Sequence, residues 1–151
     1  MKLTSPSFGQ GGKIPSKHTC DAQDISPELH ISDVPPAAKS LVLILDDPDV
    51  PKEVRRECMW DHWVIFNIPP STRLIEENKE PPGTLGKNTW GNLKYQGPCP
   101  PDREHRYFFK LYALDKLLNL HKGATKNEVE AAMRGHILAH TELMARYERS
   151  H

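Results

Sequence analysis

The chain has 151 residues, with Lys plus Arg and Asp plus Glu each numbering 20, so it carries no overall field to draw nucleic acid or another polyanion. Its length suits one domain, residues 1–151, and 37% hydrophobic with 26% charged residues excludes a disordered chain. No stretch approaches the length of a membrane span, and the start at Met1 to Pro6 has no apolar signal region, so a cytoplasmic protein without stable membrane insertion is expected.

The first thirty or so residues hold Gly9, Gly11 and Gly12 among short extended pieces, which predicts loops and one peripheral strand. Gly9-Gln10-Gly11-Gly12 lacks the Lys-Ser/Thr ending and the preceding strand of a phosphate loop and is expected to be a flexible turn. Prolines then punctuate the chain at 35–36, 48 and 51, 69–70, 81–82, and 98 to 101, marking loops, because proline cannot donate to a sheet ladder. Between them, residues 40–45, 62–68 and 107–114 are rich in aliphatic, β-branched and aromatic side chains and are predicted to be strands. Their near-continuous apolarity implies cover on both faces. The short basic run of Lys52, Arg55 and Arg56, interrupted by Glu53, suits a solvated loop.

Helix formers take over at Asp115, with a short helical turn expected over 115–120. Thr125 and Glu128 have capping-box spacing, and Val129, Ala132, Met133, His136, Ile137, His140, Leu143, Met144 and Tyr147 recur at helical intervals. Together they predict a helix over about 126–148, with Gly135 as its weak point. The three cysteines, Cys20, Cys58 and Cys99, are an odd count that fits reduced thiols, while a single Cys20–Cys99 bridge stays open.

Three segments carry candidate chemistry. Asp46, Asp47 and Asp49 close the first core strand between stiffening prolines; alone, they read as a turn whose carboxylates accept backbone N–H bonds. In Trp60-Asp61-His62-Trp63, strand alternation puts Trp60 and His62 on one face and Asp61 and Trp63 on the other. Gly97-Pro98-Cys99-Pro100-Pro101 leads into His105-Arg106-Tyr107, where His105 and Tyr107 share a face. Arg106 then points away and pairs with Asp49 or Asp47, which leaves loop N–H groups and the Tyr107 hydroxyl free for a ligand.

In this order, Asp47-Pro48-Asp49-Val50-Pro51, Trp60-Asp61-His62-Trp63, the Gly97 to Pro101 loop and His105-Arg106-Tyr107 resemble the motifs of the phosphatidylethanolamine-binding proteins, also called Raf kinase inhibitor-like proteins. Ser26-Pro27-Glu28-Leu29, Val34-Pro35, Asn67-Ile68-Pro69 and Gly86-Lys87-Asn88 extend the resemblance to the small bacterial and archaeal branch. The resemblance implies a mainly β fold, a large antiparallel sheet packed on a smaller one with peripheral helices, the main one near the C-terminus. It also implies a shallow pocket at one end of the large sheet that accepts phosphate-like anions. Matched by motif, Asp47 is the pocket aspartate, Trp60, His62 and Tyr107 line it, and Gly97, Pro101 and His105 form its rim; Asp49 and Arg106, read from the residues as an ion pair, are expected to support it. A histidine held by an aspartate would stay a donor there. Two departures stand out: Asp102-Arg103-Glu104 replaces the usual glycine before His-Arg, and Cys99 takes the place of a small residue such as glycine.

The expected function is non-catalytic binding of a small anionic ligand, phosphate-like or a phospholipid head group, with a signalling-regulatory role. Two alternatives differ in class. One is a protein that regulates a kinase or other signalling partner and keeps a vestigial pocket; the other is a hydrolase using Cys99 with His105 or His62 as base. No cofactor and no metal are expected: His136 and His140 stand four apart, but Ile137 occupies the place where zinc proteases carry glutamate. A protein partner and a homodimer both remain open.

Overall fold

All eight residues of β3 (Ser40–Asp47) are buried. Its aliphatic run can be covered on both sides because it lies at the centre of a five-stranded sheet. A computed structural model describes residues 1–149. In it β1 (Lys2–Thr4), β2 (Leu29–Ser32) and β5 (Leu74–Ile75) form a three-stranded sheet in the order β1-β2-β5. The larger sheet has the order β6-β4-β3-β7-β8, with β4 at Trp60–Ile68, β6 at Thr84–Leu85, β7 at His105–Leu114 and β8 at Ile137–Tyr147. Every pairing in both sheets is antiparallel.

The period of two along β3 divides the interior. Leu41, Leu43 and Leu45 meet Trp63, Ile65, Tyr107, Phe109 and Leu111 in a core shared with the small sheet. Val42 and Ile44 face the other way, against Val64, Phe66 and the Val129 and Met133 side chains of α1 (Lys126–Met133). The chain is therefore a β-sandwich whose large sheet carries a helix on its outer face.

Helix α1 starts as its sequence predicts. Thr125 Oγ1 accepts from the Glu128 backbone N–H at 3.2 Å, and Glu128 Oε1 accepts from the Thr125 N–H at 3.1 Å. It then stops after eight residues, and the expected continuation over 126–148 is corrected: Gly135, at φ +79°, turns the chain into β8. Ala139, Leu143, Ala145 and Tyr147 pack on the sandwich core at strand period, whereas Ile137 is 42% exposed. Residues 137–147 fit both periods, and pairing with β7 from His105↔Tyr147 to Leu114↔Ile137 decides for the strand. No helix forms over 115–120. Asn67 holds that segment instead, its amide donating to the Leu118 carbonyl at 2.9 Å and its carbonyl accepting from the Leu118 N–H at 2.8 Å.

The N-terminal region holds two strands and a short 3-10 turn at Ser16–His18 rather than one strand. Gly9 to Gly12, expected to be a flexible turn, is hydrogen-bonded along the edge of β8: Gly11 N–H donates to Met144 O and Arg146 N–H to Gly12 O, both at 2.8 Å. Cys20 and Cys99, 79 residues apart, are joined by a disulfide, which corrects the reduced-thiol expectation for these two and leaves Cys58 free.

One local irregularity re-aims the start of β4. Leu45 pairs with Trp63, but Asp46 pairs with Asp61, so His62 is an extra residue in β4. Such a bulge re-aims side chains. Trp60, His62 and Trp63 all turn toward the small-sheet side, while Asp61 alone reaches the helix side and the Lys126 ammonium at 3.0 Å. Asp61 and Trp63 therefore do not share a face, contrary to simple alternation.

Candidate functional site

Three strand ends converge at one edge of the sandwich. Asp47, the last residue of β3, pairs with Trp60, the first of β4, and the β3–β7 register brings Tyr107 alongside it. The proline loop before β7 closes over them, leaving a cavity of about 230 Å³. Its wall is Asp47, Val50, Val54, Trp60, His62, Trp90, Cys99, Pro101 and Tyr107.

Of the residues singled out in the sequence, the structure brings Asp47, Trp60, His62, Pro101 and Tyr107 together at this wall. His105 and Gly97 do not line the cavity. His105 is fully buried behind Asp47, with Nδ1 at 2.6 Å from Asp47 Oδ2 and Nε2 at 2.6 Å from Asp102 Oδ1. Gly97 is a packing position: its N–H donates to Asp24 Oδ1 at 2.8 Å, and a Cβ there would fall 2.0 Å from the His18 carbonyl oxygen.

The support residues act as one clamp. Arg106 pairs with Asp49 rather than Asp47, Nε donating to Oδ2 at 2.9 Å and Nη2 to Oδ1 at 2.8 Å. These bonds hold the Asp49 carboxyl below its usual range. Asp49 N–H in turn donates to Asp47 Oδ1 at 2.8 Å, the turn bond its spacing predicts. Both Asp47 oxygens are therefore occupied. Burial raises its carboxyl, with the His105 hydrogen bond pulling the other way.

His62 is held by a carbonyl, not by an aspartate. Its Nδ1 lies 2.7 Å from the Gln96 oxygen, which can only accept, so the ring proton sits on Nδ1. Burial pushes its pKa down to about 4, leaving a neutral imidazole near pH 7. The aspartate-held histidine is His105 instead, behind the cavity wall. Around His62 the aromatic groups meet edge to face, Trp90 at 5.2 Å and Tyr107 at 5.4 Å between ring centroids.

Two buried donors at the wall make no well-formed hydrogen bond among the described residues, the Tyr107 hydroxyl, which lies near the Asp47 carboxyl and the Cys99 backbone, and the Trp60 indole N–H. Burial, and then the nearby Asp47 charge, raises the Tyr107 phenol well above its usual pKa, so it stays protonated. No Lys or Arg side chain lines the cavity; Arg55 lies 5.7 Å over the Trp60 ring. Behind the sheet, Asp46 Oδ2 takes the Lys110 and Lys126 ammonium groups, each at 3.0 Å, while its Oδ1 makes no hydrogen bond.

Trp90, Val50 and Val54 belong to the wall but were not foreseen. Trp90 offers the one usable signal, a large aromatic in a glycine- and asparagine-rich loop, 41% exposed. Cys99 was weighed as a nucleophile, and that reading is corrected: its sulfur is bonded to Cys20 and carries no thiol. The Asp102 to Glu104 departure is stapled down, Asp102 to His105 and Glu104 to Arg146 at 3.0 Å. Among the described residues, no group of three or more His, Cys, Asp or Glu could hold a metal ion. Likewise, no helix is long and apolar enough to cross a membrane.

Comparison with known proteins agrees with this architecture. Residues 4–148 match the family model described as phosphatidylethanolamine-binding protein. A UPF0098 protein of Methanothermobacter thermautotrophicus is 50% identical, covering 99% of both chains, and one of Chlamydia pneumoniae is 47% identical over 99% of this chain and all of its own. The crystal structure of a putative phosphatidylethanolamine-binding protein homolog from Chlamydia trachomatis superimposes with a TM-score of 0.95 at 47% identity, covering 98% of this chain and 97% of that one. Escherichia coli YbcL, described as a new member of the mammalian family, gives 0.88 at 27% identity over 99% and 98%. With the sandwich and the strand-end cavity in place, the family model and these relatives lead to one assignment: the chain belongs to the phosphatidylethanolamine-binding protein family.

Proposed function

We propose that this protein binds a small phosphate-like anion, free or as the head group of a larger molecule, in the cavity between Asp47, Trp60, His62 and Tyr107, without catalysing a reaction on it. The observation that carries this reading is the pair of buried donors that make no well-formed hydrogen bond among the described residues, Tyr107 O–H and Trp60 N–H, at the wall of a cavity of about 230 Å³. A buried donor without an acceptor costs about 1–3 kcal/mol, and ligand oxygens would supply the missing acceptors. The volume suits a head group rather than a whole lipid.

A regulatory role toward a protein partner, and assembly as a homodimer, belong to the same proposal. So does a cytoplasmic location, against which the Cys20–Cys99 bridge weighs, since such bonds persist mainly in oxidising compartments. NMR titration with methyl phosphate tests the binding. Saturable shifts at the cavity residues, lost in His62→Ala with the remaining spectrum unchanged, are expected. Equal affinity in that variant would remove His62 from the site.

A further inference from the structure

The proline loop that closes the cavity is tied to a single short stretch of chain. Pro98, Pro100 and Pro101 have no N–H to donate, so residues 97–101 can anchor themselves at few points. Among the described residues, two well-formed hydrogen bonds fasten the loop. The Gly97 N–H donates to Asp24 Oδ1 at 2.8 Å, and the Cys20 N–H donates to the Pro98 carbonyl at 3.1 Å. The third fastening is covalent, Cys20 to Cys99. All three end on residues 20–24, and the covalent one holds the loop residue that lines the cavity.

This bond is placed to be opened. Cys20 is exposed, whereas Cys99 is half-buried at the cavity wall, so an incoming thiolate meets the Cys20 sulfur and Cys99 becomes the leaving group. Exposed disulfides are the labile ones. Opening it leaves both hydrogen bonds in place, and Cys99 loses its fixed position. The Tyr107 hydroxyl, one of the two donors offered to the anion, lies near the Cys99 backbone, so a shift of this loop reaches the donor directly.

Granted the anion-binding reading above, on which this rests, we propose that the Cys20–Cys99 disulfide is a redox modification site for small thiols, and that its reduction weakens anion binding in the cavity. A dithiol supplies the two electrons. One of its sulfurs, as thiolate, attacks the Cys20 sulfur; the Cys20–Cys99 bond breaks and Cys99 leaves as thiolate. The second sulfur then attacks the first and frees Cys20. The dithiol ends as a cyclic disulfide, and its two protons end on Cys20 and Cys99. A wall that has lost its preorganisation binds less tightly. By linkage, the bound anion makes the bond harder to reduce by the same factor.

The test uses the full chain carrying Cys58→Ser, which keeps the free thiol out of the exchange, with dithiothreitol as reductant and methyl phosphate as ligand. NMR titration should show affinity weakening about tenfold on reduction, with the fold spectrum preserved outside the loop and the stretch it is tied to. The double variant Cys20→Ser, Cys99→Ser should bind like the reduced protein in either buffer, and reoxidation of the parent should restore tight binding. Saturating methyl phosphate should lower the equilibrium constant for reduction about tenfold, read by maleimide trapping and intact mass. Equal affinity in the two redox states overturns the switch and leaves the anion site standing. Collapse of the fold spectrum on reduction also overturns it, because the bond would then be a structural staple. A bond that dithiothreitol opens only in urea does the same. Failure of the oxidised protein to bind methyl phosphate removes the anion reading and the switch together.

Discussion

Asp46 and Asp47 are consecutive residues on one strand, both buried, and they face opposite worlds. On the helix side, Asp46 and Asp61 are balanced by Lys110 and Lys126, two carboxylates against two ammonium groups, under the first turn of α1. On the pocket side, Asp47 is tied up by Asp49 and His105, while Tyr107 O–H and Trp60 N–H around it make no well-formed hydrogen bond among the described residues. The same strand ends thus serve a face closed for stability and a face left incomplete for a ligand. The bulge at His62 divides β4 in the same way, sending Asp61 to one side and its two tryptophan neighbours to the other.

If that contrast is real, damage to the helix side should appear as lost stability and damage to the pocket side as lost binding. The largest effect is expected from Lys126→Met, which leaves two buried or half-buried carboxylates with one ammonium fewer. Urea unfolding should show a loss of about 3–5 kcal/mol, and a loss under about 1 kcal/mol would mean the cluster is not a stabilising unit.

Acid comes next. The His62 pKa is about 4 in the fold, below the ordinary 6.5, so the unfolded chain binds the extra proton and stability falls as pH drops from 6.5 toward 4. The contribution is about 3 kcal/mol over that window. Asp47, raised by burial, works the other way as pH falls through its raised range. His62→Gln should flatten the slope of stability against pH, and an unchanged slope would place the titrating group elsewhere. Thr125→Ala removes the cap of α1 and should cost about 1 kcal/mol by the same unfolding assay, with methyl phosphate affinity unaltered.

The smallest stability change is expected from Tyr107→Phe. Because its hydroxyl makes no well-formed hydrogen bond among the described residues, removing it should leave the melting point unchanged or slightly raised while methyl phosphate binding weakens about tenfold. A loss of stability with binding intact would reverse the assignment of the two faces.

Much of this division is written in the sequence. The three central strands announce themselves because Leu41 to Leu45, Trp63 to Phe66 and Tyr107 to Leu114 meet cover on both faces or nearly so. The Asp49 turn bond and the Thr125 capping box are local, and local spacing is what a sequence displays. What it hides is set by partners far along the chain. The bulge at His62 exists only in register with β3; β8 is a strand only because β7 needs an edge partner; and Cys20 meets Cys99 across 79 residues. The tautomer of His62 is hidden for the same reason, since it depends on a carbonyl 34 residues away.

The most direct test of the account is a crystal structure of the protein soaked with methyl phosphate at pH 5.5. The phosphoryl group should lie in the cavity with oxygens within hydrogen-bond distance of Tyr107 Oη and His62 Nε2, and Asp47 should stay paired to His105. A phosphoryl group bound elsewhere on the surface, with Tyr107 and His62 untouched, would contradict it.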